Sequence, residues 1–323
     1  MNQLNQQYNP IAEKIKDSLE KNFQSLNLVH REHYCLRLWR ITGEEKYLPT
    51  IIENEKIELA NWKDNVQNLA NKIYQKKYGR NCIEKLGPWL GSRRVKQKKY
   101  YQSHPDIKFL TNFIWQTYRL ANFNLQNINL SQFSHTISYL ESLPLEEIYL
   151  DRQLFSVDPA ECINSLFFLK YLGVVDKTKL IKPRLRKIYL SKAKLGEDNY
   201  FSWLYALTHI VIAASDYYQH YVASEYFSWV LNYLVADFEK ILFCATTDIL
   251  AEVGMCFKLT QTHSGLINKC KVKVVEQSDK KFGSLIQKEE TGLNALEHCI
   301  TLTILLIDDL KKFYKGPNLS DIL

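Results

Sequence analysis

Apolar residues recur at helical spacing along almost the whole chain, and no stretch alternates apolar and polar residues as a half-buried strand does. That feature limits the fold more than any other. A chain so patterned buries its apolar stripes by packing helices on helices. Among 323 residues, 11 glycines and 8 prolines are too few for a turn-rich β protein. The periodicity predicts an all-α chain of about twelve helices. They fall over 10–27, 29–42, 46–76, 107–121, 131–141, 158–172, 176–191, 199–214, 224–243, 248–260, 264–276 and 289–312. Residues 79–105, basic and containing "GPWLG" and "SHPD", interrupt the pattern. They are expected to form a basic loop or excursion between the N-terminal helices and the main array. Residues 1–323 otherwise read as a single helical domain, long enough to bury a sizeable core.

The connections have a common grammar. In "CLRLWRITGEEKYLP" (35–49), a helix with Cys35, Leu38 and Trp39 on one face runs into Thr42-Gly43. Gly43 is free to take the left-handed conformation that closes a helix. Glu44 and Glu45 suit the positive end of the next one. The segments 165–180 and 251–270 repeat helix, short polar link, helix. These are antiparallel hairpins, of the kind that wind into a ring or solenoid.

Here a resemblance enters. "LRLWRITGEEKYLP" resembles the helix–turn–helix element of the α/α-toroid proteins: glycosidases, terpene cyclases, prenyltransferases and lanthionine cyclases. "LTHIVIAASDYYQHYV" (207–222), "DILAEVGMCFKL" (248–259) and "LEHCITLTILL" (296–306) are similar, in that order, to a bacterial family known only as a domain of unknown function. That narrower likeness spans about residues 140–317. It implies an α/α-toroid, or incomplete α/α-barrel, and supplies no activity.

Three apolar helices carry polar groups able to do chemistry. In 203–218, Tyr205, His209, Ile212 and Asp216 share a face. In 246–259, Asp248, Glu252 and Cys256 are spaced i, i+4, i+8. Asp248 also suits a first helical turn, whereas Glu252, set among apolar residues, is costly to bury without a partner. In 292–306, Asn294, His298 and Thr301 share a face, with Glu297 and Cys299 flanking His298. A core histidine satisfied by one hydrogen bond is the plain alternative for both His209 and His298.

In the implied toroid, inner helices surround one cavity where these groups would meet. His209, Glu252, Cys256 and His298 then offer N, O, S and N donors, a set zinc accepts. The ligand types resemble the zinc site of the prenyltransferase toroids, although the acid and cysteine are four residues apart here and two apart there. Without metal, Glu252 is the expected acid and His209 or Asp216 the base, with His298 in the same catalytic set. By analogy with the toroid glycosidases, the chemistry would be hydrolysis, elimination or transfer on a carbohydrate-like or other polar substrate. Trp203, Tyr205, Tyr217, Tyr218 and Asn294 are the expected substrate contacts. Aromatics at helical spacing are more often core. His30, His33 and Arg37 lie at i, i+3, i+7, as a cavity rim or, more simply, a solvated face.

Net charge is +7 and uneven. Residues 80–101 hold seven Lys/Arg against one acid, including Arg93, Arg94, Lys96, Lys98 and Lys99, and 181–194 hold six and none. The second function this suggests is a non-catalytic scaffold binding a protein or anionic partner through basic patches. No specific nucleic-acid motif, P-loop, dinucleotide fingerprint or calcium loop is present. Seven cysteines without a CxxC pair suggest free thiols in a reducing compartment. With no signal-like N-terminus and no apolar run long enough to span a bilayer, the expectation is a soluble protein, cytoplasmic at synthesis. Export without a signal peptide stays open.

Overall fold

The computed structural model describes residues 2–85, 91–189, 197–285, 290–309 and 312–323. Among them the regular structure is entirely helical, with seventeen α-helices and four short 3-10 turns. In chain order the first nine are α1 (Asn2–Lys21), α2 (Leu28–Thr42), α3 (Leu48–Gln67), α4 (Lys72–Lys85), α5 (Ser92–Ser103), α6 (Pro105–Asn122), α7 (Leu130–Glu141), α8 (Leu145–Tyr149) and α9 (Arg152–Val157). The rest are α10 (Pro159–Tyr171), α11 (Ile181–Tyr189), α12 (Asp198–Ala214), α13 (Ser224–Ala236), α14 (Phe238–Cys244), α15 (Thr247–Leu259), α16 (Ser264–Leu285) and α17 (Glu290–Ile307). No helix among the described residues is long and apolar enough to cross a membrane. None of the seven cysteines is in a disulfide.

The count exceeds twelve because expected helices divide and an expected loop is helical. The stretch 46–76 breaks after Gln67, where Asn71 takes over as a cap and accepts from the N–H of Tyr74 at 3.0 Å. The stretch 224–243 breaks at Asp237. Unassigned residues 142–157 hold α8 and α9, the latter capped by Asp151, whose Oδ1 accepts from the N–H groups of Gln153 and Leu154.

The expected loop 79–105 is corrected in the same way. Its described residues form the end of α4, all of α5 and the start of α6. The inward face of α5 is Gln97, Tyr100 and Tyr101, all buried, so a search for aliphatic periodicity passes over it. Most of "GPWLG", and the end of the second basic stretch at 190–194, lie outside the described residues.

Contacts divide the chain into two compact units, residues 1–54 with 214–316, and 55–213 with 317–323. In the first unit α17 is central, with α1, α2, α15 and α16 all against it. This explains its uncharged run: Ile300, Leu302, Ile304, Leu305, Leu306 and Ile307 are all buried, as a helix surrounded by helices requires. α15 and α16, joined by residues 260–263, pack as a hairpin. Gly43 closes α2 with φ 68°, its N–H donating to the carbonyl of Trp39 at 2.8 Å, as the sequence predicts.

In the second unit α6 lies against α4, α5 and α10. Its core includes Trp62, Phe109, Phe113, Tyr149 and Phe155. Where α4 crosses α6, a Cβ on Gly79 would collide with the backbone carbonyl of Pro105. The close approach of these two helices therefore needs glycine.

Candidate active site

α2 is tied to α17 at its first turn. The Asn27 side chain accepts from the N–H of His30, and the Asn27 N–H donates to Asn294 Oδ1 on α17, both at 3.0 Å. His30, His33 and Arg37 follow on one stripe of α2, and that stripe meets Glu297. The Glu297 side chain is 1% exposed, yet both its oxygens are engaged. Oε2 lies 3.1 Å from His30 Nδ1, and Oε1 lies 2.9 Å from His33 Nδ1 and accepts from Thr301 Oγ1 at 2.6 Å.

Burial alone would raise the pKa of Glu297. The adjacent His33 charge and the hydrogen bonds from His30, His33 and Thr301 outweigh burial and hold the carboxyl well below the usual carboxylate range. An ionised carboxylate only accepts, so each imidazole presents Nδ1–H to it. In the neutral ring the lone pair is then left on Nε2. His30 and His33 are 34% and 26% exposed, so this is a partly open imidazole pair oriented by a buried anion.

His298, the next residue on α17, places its ring 5.3 Å from that of His33, and its Nε2 3.9 Å from Glu252 Oε1. Desolvation within the cluster, with Arg37 and any protonation of His33, pushes its pKa down to about 4 against the opposing pull of Glu297 and Asp248. It is neutral near pH 7 while half its side-chain surface stays open. Glu252, on α15, is 3% exposed. One turn on, Cys256 is fully buried, and burial followed by the charge of Glu252 drives its thiol pKa well up. It is a thiol at neutral pH, not an activated nucleophile.

A turn at residues 215–220 completes the cluster. Arg37 lies 4.9 Å and 5.2 Å from the ring centroids of Tyr217 and Tyr218. Asp216, Tyr217 and Tyr218 have φ of 50°, 58° and 71°, a rare run for side chains of this size. Asp216 therefore leaves the helical stripe expected for it, since α12 stops at Ala214. It sits 3.7 Å from His220 Nδ1, its pKa raised by burial against the pull of His220, Arg40 and Lys315.

The first unit thus brings Glu252 and His298 together, with Asn294 at the foot of α2 and Tyr217 and Tyr218 around Arg37. His209, Trp203 and Tyr205 belong to the second unit. There His209 Nδ1 pairs with Asn164 Oδ1 at 2.9 Å, Trp203 is buried 6.1 Å from Tyr189, and Tyr205 carries Arg93 over its ring at 4.4 Å. Among the described residues, no group of three or more His, Cys, Asp and Glu side chains is arranged to hold a metal ion.

Sequence reasoning named Glu297 only as a neighbour of His298, and left His30 and His33 between a cavity rim and the simpler solvated face. The available signal was an acid inside an apolar run, four residues before Thr301. Its partners, more than 260 positions away, have no local signature.

Elsewhere, α5 carries Arg93, Arg94, Lys96, Lys98 and Lys99, with Arg94, Lys96 and Lys99 exposed. Lys96 pairs with Asp198 at 3.5 Å. A surface cleft of about 630 Å³ in the second unit is lined by Glu146, Asp151, Arg152, Arg184 and Lys187, a mixed-charge wall.

Neither a comparison with curated proteins nor one with solved structures finds a match. A family of unknown function does match, over residues 8–322, well beyond the 140–317 span that the sequence suggested. The chain belongs to this family, DUF3541, a domain of unknown function.

Proposed function

We propose that the first unit carries a general acid–base centre acting on a polar substrate, as a hydrolase, lyase or transferase. The observation behind this is the buried Glu297 carboxylate, which binds His30 and His33 while His298 stands 5.3 Å from His33. Glu297 fixes the tautomer of His33 and stabilises the imidazolium that forms when His33 Nε2 takes a proton from water or a substrate hydroxyl. The same imidazolium returns the proton to the leaving group. His298, kept neutral by its surroundings, orients the nucleophile without adding a competing cation. Hairpins such as α15–α16 are also the pieces from which an α/α-toroid or solenoid is wound, and we extend the proposal to that architecture.

The test is turnover on a panel of chromogenic glycosides, esters and phosphodiesters. We expect His33→Ala to lower turnover by about a hundredfold or more, the usual worth of a positioned base, with far-UV circular dichroism unchanged. Glu297→Gln should fall in the same direction. Full turnover in both variants, or an inert wild-type protein across all classes, removes the catalytic reading.

A second reading has its own observation. α5 holds five Lys/Arg and no acid in twelve residues, a surface suited to an anionic partner. Charge reversal at Arg94 and Lys99 should then abolish a salt-sensitive interaction and leave turnover alone.

A further inference from the structure

Among the three arginines of α2, Arg37 stands apart. Arg40 donates to the Tyr217 carbonyl at 2.7 Å, and Arg31 donates to Gln24 at 3.1 Å. The Nε of each is buried without a hydrogen bond, but Arg37 alone has no hydrogen bond or ion pair through the rest of its guanidinium to any described residue. The guanidinium is held instead by the faces of Tyr217 and Tyr218. Aromatic faces attract a cation but accept none of its N–H groups in the plane of the fork, so the hydrogen-bonding edge is left unspent.

The chain keeps those faces in place at a cost. Three successive side-chain-bearing residues at positive φ are strained, and such strain persists only where the surroundings over-determine it. Here they do. The Ser215 hydroxyl accepts from the N–H of Tyr218 at 2.9 Å, Gln219 Nε2 donates to the Asp216 carbonyl at 2.5 Å, and Gly316 N–H donates to Gln219 Oε1 at 2.7 Å.

We infer that Arg37 anchors a two-oxygen monoanion of the substrate, a carboxylate or a phosphodiester, one helical turn from the His33–Glu297 base. A guanidinium fork matches two coplanar oxygens. A dianion fits less well, because the carboxylates of Glu297 and Glu252 stand in the same cluster and a second negative charge would meet them. The inference rests on the acid–base centre proposed above and adds its substrate class.

The test is titration of the full-length protein with dimethyl phosphate and, separately, acetate at constant ionic strength, following the Arg37 Nε–H and His298 ring signals by NMR. At least one anion should shift both signals saturably, and Arg37→Met should weaken binding by about tenfold or more, the worth of a charge-assisted bidentate contact. Arg37→Lys, which keeps charge and stem, should recover only part. Saturation by dimethyl phosphate alone identifies a phosphodiester, and by acetate alone a carboxylate. Saturation by neither, or wild-type affinity in Arg37→Met or Arg37→Lys, overturns the assignment. Binding is read without turnover, so loss of anion binding with His33-dependent activity intact sinks the anchor alone. The converse sinks only the acid–base centre.

Discussion

At the scale of single residues, Glu297 and His298 are neighbours on α17 and respond to acid in the same direction for different reasons. The carboxyl of Glu297 is depressed on folding, so its contribution is present above the ordinary value of 4.5 and fades as pH falls toward the depressed one. His298 titrates near 4 in the folded protein against 6.5 in the unfolded chain. Between those values the unfolded chain holds the extra proton, so stability drops as pH falls from 6.5 to 4. The urea midpoint should accordingly decline through this window, and go on declining below about 4.5, where the unfolded chain protonates the carboxyl that the fold keeps ionised. His298→Asn should flatten the upper part and leave the lower part. A wild-type midpoint that stays level from pH 6.5 to 4 would show that the ring is solvated well enough to charge freely.

At the scale of elements, the end of α17 depends on a side chain from α15. Lys258 Nζ donates to the carbonyls of Leu305 and Leu306, each at 2.9 Å, and of Asp308 at 2.6 Å. These are among the acceptors a helix C-terminus leaves unpaired. Lys258→Met keeps the apolar stem and removes all three donors. It should cost about 2 kcal/mol or more, read as a lower thermal midpoint; an unchanged midpoint would mean that water replaces the amine. This device could not be foreseen, because Lys258 in sequence is one more lysine near a helix end. Helices were legible where aliphatic residues mark the inner face, as in α2, α15 and α17. They were illegible in α5, whose inner face is Gln97, Tyr100 and Tyr101, and in α8 and α9, too short to show a period. The candidate site divides in the same way. The i, i+4 logic found Glu252 and His298, while Glu297 looked like one acid in an apolar run.

At the scale of the whole molecule, the first unit joins residues 1–54 to 214–316, and no local pattern announces which distant helices will meet. The sequence showed hairpins, but the packing of α2 on α17 brings together residues 264 positions apart. The site is a product of that closure. α1 is where its dependence can be measured. Leu19 and Ala12 are buried, Ile11 and Ile15 pack beside Ala12 and Ile307, and Glu20 accepts from the hydroxyls of Tyr34 and Tyr47 at 3.0 and 3.1 Å. Deleting residues 1–21 uncovers the end of α17 and leaves two buried phenols without an acceptor. Apolar burial at about 1.5–3 kcal/mol per large side chain, with about 1–3 kcal/mol per stranded hydroxyl, sums to much of a typical domain's stability of about 5–15 kcal/mol. The truncated protein should therefore lose near-ultraviolet circular dichroism and bind a hydrophobic dye. Glu20→Ala, which strands the phenols but keeps the apolar cover, should only lower the denaturation midpoint. Near-native dichroism in the truncated chain would mean that α17 is closed by α2, α15 and α16 alone, and that α1 is a dispensable cover rather than a wall of the unit.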